Sequence, residues 1–280
     1  MLKALLFLVL VSADFGLNSL RAEEQQNIDS FESTITHIVG YKYLISLPKT
    51  YSDDSSHKWP LIIYLHGSGE RGTDPWRLTR HGPPRLLHPG ISKYADPIKP
   101  GTPPESPEVL ENRALSTKIL SEQFIVISPQ CPSGKSWDDE AVIALLDKAI
   151  TRYNVDTSRV YLTGNSMGGY GAWSVGLKNS HRFAALVPIC GGIRDDYILR
   201  QASEHKEELL SLGIWAFHGE KDPTVPVSQS RQVITMLEKA KLTDVKLTTY
   251  PEAKHDSWTQ TYDNPSLYAW LLKHVRTKLK

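Results

Sequence analysis

Cysteine is almost absent from this 280-residue chain, with Cys131 and Cys190 the only two. A small disulfide-stapled scaffold and a zinc site built on paired cysteines are therefore both excluded. No His-Glu-x-x-His occurs, so neither a metal nor another cofactor is expected. Charge of one sign is missing as well: 32 Lys and Arg balance 31 Asp and Glu. That balance leaves no field to gather phosphate backbones or an anionic membrane surface, which argues against nucleic acid as a partner. There is no internal repeat and no long apolar run. Ala4–Val11 holds eight apolar residues, whereas a spanning helix needs about 20. Apolar residues at 40% and charged residues at 22% fit a folded globular chain and not a disordered one.

The short apolar run follows Lys3, the pattern of a secretory signal. The expected signal segment is residues 1–22, cut after Ala22 or, for a much shorter peptide, after Ala13. The mature chain then starts near Glu23 and is secreted or periplasmic. Residues 23–280 are long enough to bury one core, so a single domain is expected.

Short apolar runs alternate with helical patterns through the rest of the chain. Strands are expected over Thr34 to Val39, Tyr41 to Leu47, Pro60 to Leu65, Phe124 to Ser128, Val160 to Thr163, Phe183 to Ile189, Ile214 to Phe217 and Val245 to Tyr250. Runs without polar alternation suit strands covered on both faces. Helices are expected over Asp138 to Tyr153, Gln229 to Ala240 and Leu267 to Lys280. This order predicts an α/β fold with a mostly parallel sheet, whose ligand site lies beyond the carboxyl ends of the strands. Gly69 to Ser116 is rich in Pro and Gly and reads as an inserted loop along one wall of that site.

Gly164-Asn165-Ser166-Met167-Gly168 matches the G-x-S-x-G turn from strand into helix, in which flanking glycines let a serine sit at a strained apex. Serine needs a base, and the base needs an orienting carboxylate, in the chain order serine, acid, histidine. After Ser166 come His181, His205, His218, His255 and His274. His181, His205 and His274 fall in or beside helical segments, and His218 precedes the acid candidates. His255, in the loop after the last expected strand, is the expected base. The expected acid is Asp222, with Glu220 and Asp256 as competitors. Two backbone N–H groups should face the developing oxyanion. Met167 should supply one and the loop after the first long strand the other, from Ser68 or alternatively Gly69. His66, before the serine in the chain, is expected to brace that loop through its backbone.

Several segments carry a resemblance: Leu65-His66-Gly67-Ser68-Gly69-Glu70-Arg71-Gly72, His81-Gly82-Pro83-Pro84, Ser128-Pro129-Gln130-Cys131-Pro132 with Trp137, Thr163 to Gly169, Pro188 to Gly192, His218 to Asp222, and His255-Asp256-Ser257-Trp258. With them the chain resembles secreted α/β-hydrolases described as predicted peptidases, phospholipase/carboxylesterase-like proteins, or relatives of feruloyl esterases and polyhydroxybutyrate depolymerases. The likeness runs from about Tyr41 to the last helix. It implies the α/β-hydrolase fold and a serine hydrolase acting on small or polysaccharide-linked esters. A peptidase or thioesterase with the same triad, or a binding module that kept the fold, are the competing readings. The resemblance also implies two strands between the one ending near Ser128 and the one ending near Ile189. Three strand spacings put them about 14 Å apart, beyond the roughly 7 Å that a disulfide spans between Cα atoms, so Cys131 and Cys190 should be unpaired. Trp137 and Trp258 are candidates for stacking on an aromatic acyl group or a sugar.

Overall fold

Why the apolar runs carry no polar alternation is visible in β2 (Trp59–Leu65). Successive side chains of a strand point to opposite faces. Leu61, Ile63 and Leu65 enter one buried cluster, and Ile62 and Tyr64 enter another. Both faces of the sheet are thus covered, and every residue from Pro60 to Leu65 is buried. The computed structural model describes residues 40–54, 56–89, 94, 104–193 and 209–276. The expected signal segment, the expected strand over Thr34 to Val39, and His205 lie outside them.

The other strands are β1 (Lys42–Ser46), β3 (Ile125–Gln130), β4 (Val155–Asn165), β5 (Ala185–Ile189), β6 (Gly213–Gly219) and β7 (Val245–Tyr250). They form one sheet in the order β1-β3-β2-β4-β5-β6-β7. Only β1 runs antiparallel, against β3; the remaining pairs are parallel. The helices among the described residues are α1 (Gly82–Leu87), α2 (Pro107–Gln123), α3 (Asp139–Arg152), α4 (Met167–Lys178), α5 (Ser228–Lys239), α6 (Trp258–Tyr262) and α7 (Pro265–Lys273). One face of the sheet packs on α3, α4 and α5 through residues such as Leu146, Trp173 and Val233. The other packs on α1, α2, α6 and α7 through Leu86, Leu120, Tyr262 and Tyr268. This is the expected α/β-hydrolase architecture.

Three elements differ from the sequence expectation. Strand β3 does not stop at Pro129 but runs to Gln130. Its ladder with β2 has ended at Ile127, so the missing proline N–H interrupts no bond there. The stretch from Gly69 to Ser116 is not simply loop, since α1 lies within it and α2 begins at Pro107. Helix α2 has Pro107 at its first position and Ser106 as its cap, whose Oγ accepts from Val109 N at 3.3 Å. It escapes a periodicity search because its apolar residues form no single stripe: Val109, Leu110 and Leu115 are exposed while Ser116 is buried. Finally, the closing helix expected over Leu267 to Lys280 is α7, which begins at Pro265 and ends at Lys273, with the short α6 before it. Asp263, between them, is buried and accepts from Arg85 on α1 and from Arg113 on α2, which ties the inserted segment to the chain just after His255.

Between β3 and β5 lie β2 and β4, and both cysteines are free and buried. Alkylation in denaturant without reductant should add two alkyl groups to the intact mass. A species that takes up label only after reduction would contradict this placement.

Candidate active site

Backbone contact comes first. Strands β2 and β4 are neighbours in register, Leu65 beside Gly164, so the turn that follows β4 is pressed against the end of β2. A Cβ on Gly168 would lie 1.8 Å from Leu65 O, and one on Gly164 would lie 2.4 Å from Gly168 O. Only glycine fits either position. Between them Ser166 adopts φ 54°, ψ −118°, a conformation that costs a non-glycine residue about 1–3 kcal/mol. Its N–H donates to Ile189 O at 3.0 Å, and Tyr64 Oη donates across the strands to Asn165 Oδ1 at 2.7 Å. Helix α4 starts at Met167, so the first N–H groups of the helix have no intrahelical acceptor.

His255 and Asp222 come from neighbouring loops, after β7 and β6. These loops are laced together by Lys221 N to Ala253 O and Glu220 N to Tyr250 O, each 3.0 Å. His255 Nε2 lies 3.0 Å from Ser166 Oγ, and His255 Nδ1 lies 2.7 Å from Asp222 Oδ2. The Asp222 side chain is fully buried. Burial alone pushes its pKa up, but the bonds from His255, Val225 N and Thr224 N outweigh that and hold it below the usual carboxylate value. An ionised Asp222 requires the His255 proton on Nδ1, which leaves the Nε2 lone pair facing the serine hydroxyl. The competitors are occupied elsewhere. Glu220 pairs with Arg231 at 2.5 Å, and Asp256 accepts from Thr259 N at 3.0 Å on the surface. His274 pairs with Asp244 at 2.7 Å.

Sequence order set His218 aside, yet the fold brings it to Asp222. It is fully buried, with Nε2 2.8 Å from Val225 O and 3.3 Å from Asp222 Oδ2. The carboxylate therefore meets Thr224 N, Val225 N, His255 and His218 at once. The signal that could have found His218 is its place at the end of β6, four residues before the acid.

His66 braces the loop after β2, as expected. Its Nδ1–H donates to Gly67 O at 2.5 Å, and its Nε2 accepts from Cys131 N at 2.9 Å. Burial lowers its pKa to about 4, so it is neutral. Ser68, Gly69 and Glu70 form a 3-10 turn, which starts beside the turn holding Met167. Glu70 is buried with its carboxylate 3.9 Å from His66 Nδ1 and 3.6 Å from His81 Nε2.

The two tryptophans separate. Trp137 lines a cavity of about 150 Å³ together with Met167, Tyr170, Gly171, Gly192 and Ile193. Its Nε1 donates to His66 O at 3.1 Å, which fixes the ring. Trp258 is not among that cavity's lining residues. It is buried, its ring set edge-on between His255 and His81, each with centroids 5.3 Å away; it packs against the base. Cys190 Sγ, Asp222 and His255 lie close enough together to share a cation, but a cation there would have to break the Asp222–His255 bond.

Burial raises the Glu70 carboxyl to about 7 from an ordinary 4.5. The folded state then holds a proton that the unfolded chain gives up, so stability present below about pH 4.5 is lost as pH rises to about 7. A rise of that size corresponds to about 3 kcal/mol. The stability of Glu70→Gln relative to wild type should therefore rise by about that much between pH 4.5 and 7.5 in urea unfolding; a pH-independent difference would contradict the buried carboxyl.

Residues 133–266 match the phospholipase/carboxylesterase family. A curated relative, the bifunctional acetylxylan esterase/xylanase XynS20E of Neocallimastix patriciarum, is 36% identical over 87 residues, which is 29% of this chain and 13% of that protein. Among solved structures, a thermostable esterase is 29% identical with a TM-score of 0.59, over 84% of this chain and 59% of that one. This chain thus spans a small part of the curated relative and over half of the thermostable esterase. A ferulic acid esterase superposes with a TM-score of 0.55 at 17% identity over 82% of this chain and 89% of that one. The feruloyl esterase module from Clostridium thermocellum superposes with 0.54 at 14% identity, over 84% and 83%. The sheet order, the strand-to-helix serine turn and these matches show the α/β-hydrolase fold, with residues 133–266 similar to the phospholipases and carboxylesterases.

Proposed function

We propose that the chain is a serine esterase that hydrolyses carboxylic esters through an acyl-enzyme. The observation that carries this reading is the unbroken line from Ser166 Oγ to His255 Nε2, 3.0 Å, and from His255 Nδ1 to Asp222 Oδ2, 2.7 Å, on a strained turn.

In this reading Ser166 Oγ attacks the ester carbon while its proton passes to His255 Nε2. Asp222 stabilises the imidazolium that results. The carbonyl oxygen becomes an oxyanion held by the N–H groups of Met167 and Ser68, each donor contributing about 3 kcal/mol to the transition state. When the oxyanion collapses, the bond to the alcohol oxygen breaks and the alcohol leaves with the His255 proton. Water then gives a proton to His255 and its oxygen to the acyl carbon, and the acid departs with Ser166 restored. The cavity beside Met167, walled by Trp137 and Tyr170, takes one arm of the ester. Its aromatic walls suit a flat acyl group or a sugar. The similarity to an acetylxylan esterase and to feruloyl esterases supports esters linked to polysaccharide. Export through residues 1–22 belongs to the same proposal and places the enzyme where such polymers are found.

The test is a substrate panel of p-nitrophenyl esters from acetate upward, methyl ferulate, acetylated xylan and a chromogenic peptide amide. Ester turnover without amide cleavage is expected, with Ser166→Ala reducing kcat by at least about 10⁴-fold while the urea midpoint of unfolding does not fall. Amide cleavage exceeding ester cleavage would move the reading to a peptidase, and turnover by Ser166→Ala at the wild-type rate would remove the nucleophile assignment.

A further inference from the structure

Arg71 stands at the end of the loop that follows β2, immediately after the 3-10 turn Ser68–Glu70. Its backbone is pinned on both sides. The carbonyl of Glu70 accepts from Gln130 Nε2 at 2.9 Å, and the N–H of Gly72 donates to Cys131 O at 3.0 Å. The side chain is half-buried, and its guanidinium reaches across to the residue after the nucleophile: Nε and Nη2 lie 3.2 and 3.0 Å from Met167 Sδ. Met167 also lines the cavity.

A thioether sulfur is a weak acceptor, whereas a guanidinium carries five N–H donors in a fork that matches a carboxylate. Arg85, Arg113, Arg159, Arg182 and Arg231 each hold a carboxylate. Arg71 makes no such ion pair among the described residues. The carboxylates of the preceding residue and of the cavity wall are engaged elsewhere. Glu70 faces His66 and His81, and Asp139, on the cavity wall, is held by Lys178 at 2.8 Å and by Ser174 at 3.0 Å. The loop thus fixes a cation one residue from Ser166 and gives it no anion. Nothing in the packing of the described residues requires a guanidinium there, since Met167 Sδ is its one hydrogen-bond partner.

We propose that Arg71 is the anion-recognition group of this active site and that the enzyme prefers esters bearing a carboxylate a few bonds from the scissile carbonyl. Uronic-acid units of a polysaccharide and dicarboxylic half-esters both have this chemistry. The first carries the anion on the alcohol part and the second on the acyl part. The inference rests on the serine-esterase reading and names its substrate class.

Matched pairs of esters separate the possibilities. 4-Acetoxybenzoate and its methyl ester differ by one charge on the alcohol part. Mono(4-nitrophenyl) succinate and 4-nitrophenyl methyl succinate differ by one charge on the acyl part. In one of the pairs Arg71→Gln should lower kcat/KM for the charged ester by about 10- to 100-fold more than for its neutral twin, chiefly through KM. Arg71→Lys should recover part of the loss, because it keeps the charge but not the fork. The pair that responds says which part of the substrate carries the anion. Equal losses on charged and neutral esters would reduce Arg71 to a packing residue on Met167 and overturn the proposal, as would a wild-type enzyme whose charge preference in both pairs is the same as that of Arg71→Gln. Failure of the underlying reading looks different: neither twin of either pair would be hydrolysed by wild type.

Discussion

The site depends on one steric constraint, the contact between the turn at 164–168 and the end of β2. Gly168 approaches Leu65 O so closely that a Cβ has no room. Because the two backbones touch, Ser166 after one strand and the loop Gly67–Glu70 after the next leave the sheet side by side. In the proposed mechanism the N–H of Met167 and that of Ser68 address the same oxygen. The price of this arrangement is the positive φ of Ser166, about 1–3 kcal/mol. The offset comes from a core that covers both sheet faces and from the bond of Ser166 N–H to Ile189 O.

Around that constraint the buried polar groups are sorted by charge. Asp222 is kept ionised by N–H groups from three residues, while His66 and His218 are pushed toward the neutral form by burial. Glu70 is pushed toward its protonated form. Low local dielectric amplifies each of these choices. The outcome is a buried negative charge at Asp222 behind His255, while the Arg71 guanidinium lies against Met167 Sδ. A neutral His66 can donate at Nδ1 and accept at Nε2 simultaneously, which an imidazolium could not.

The parts of this arrangement that depend on local chain chemistry were legible before the fold was known. Ser166 is announced by the glycines that the turn needs, and strands β2, β4, β5 and β6 by apolar runs that both faces bury. The unpaired cysteines followed from the strand order that the resemblance implies. What the chain could not display is whatever depends on packing between distant segments. Asp222 and Glu220 are two residues apart and chemically alike, and only burial against exposure separates them. His218 was passed over on chain order because its contact with Asp222 comes from the curl of the loop between them. Helix α2 left no periodic stripe because Val109, Leu110 and Leu115 face outward. Trp258 has the composition of a stacking residue, but α6 turns it inward against His255.

The central claim is that Ser166 is a nucleophile activated by His255. The most direct measurement is covalent labelling with a fluorophosphonate, followed by peptide mapping and by the rate of labelling in His255→Ala. The account predicts one phosphonyl group per chain, on Ser166, formed at least about 10³-fold more slowly without the imidazole. A label on any other residue, or a rate on Ser166 indifferent to the loss of His255, would contradict it.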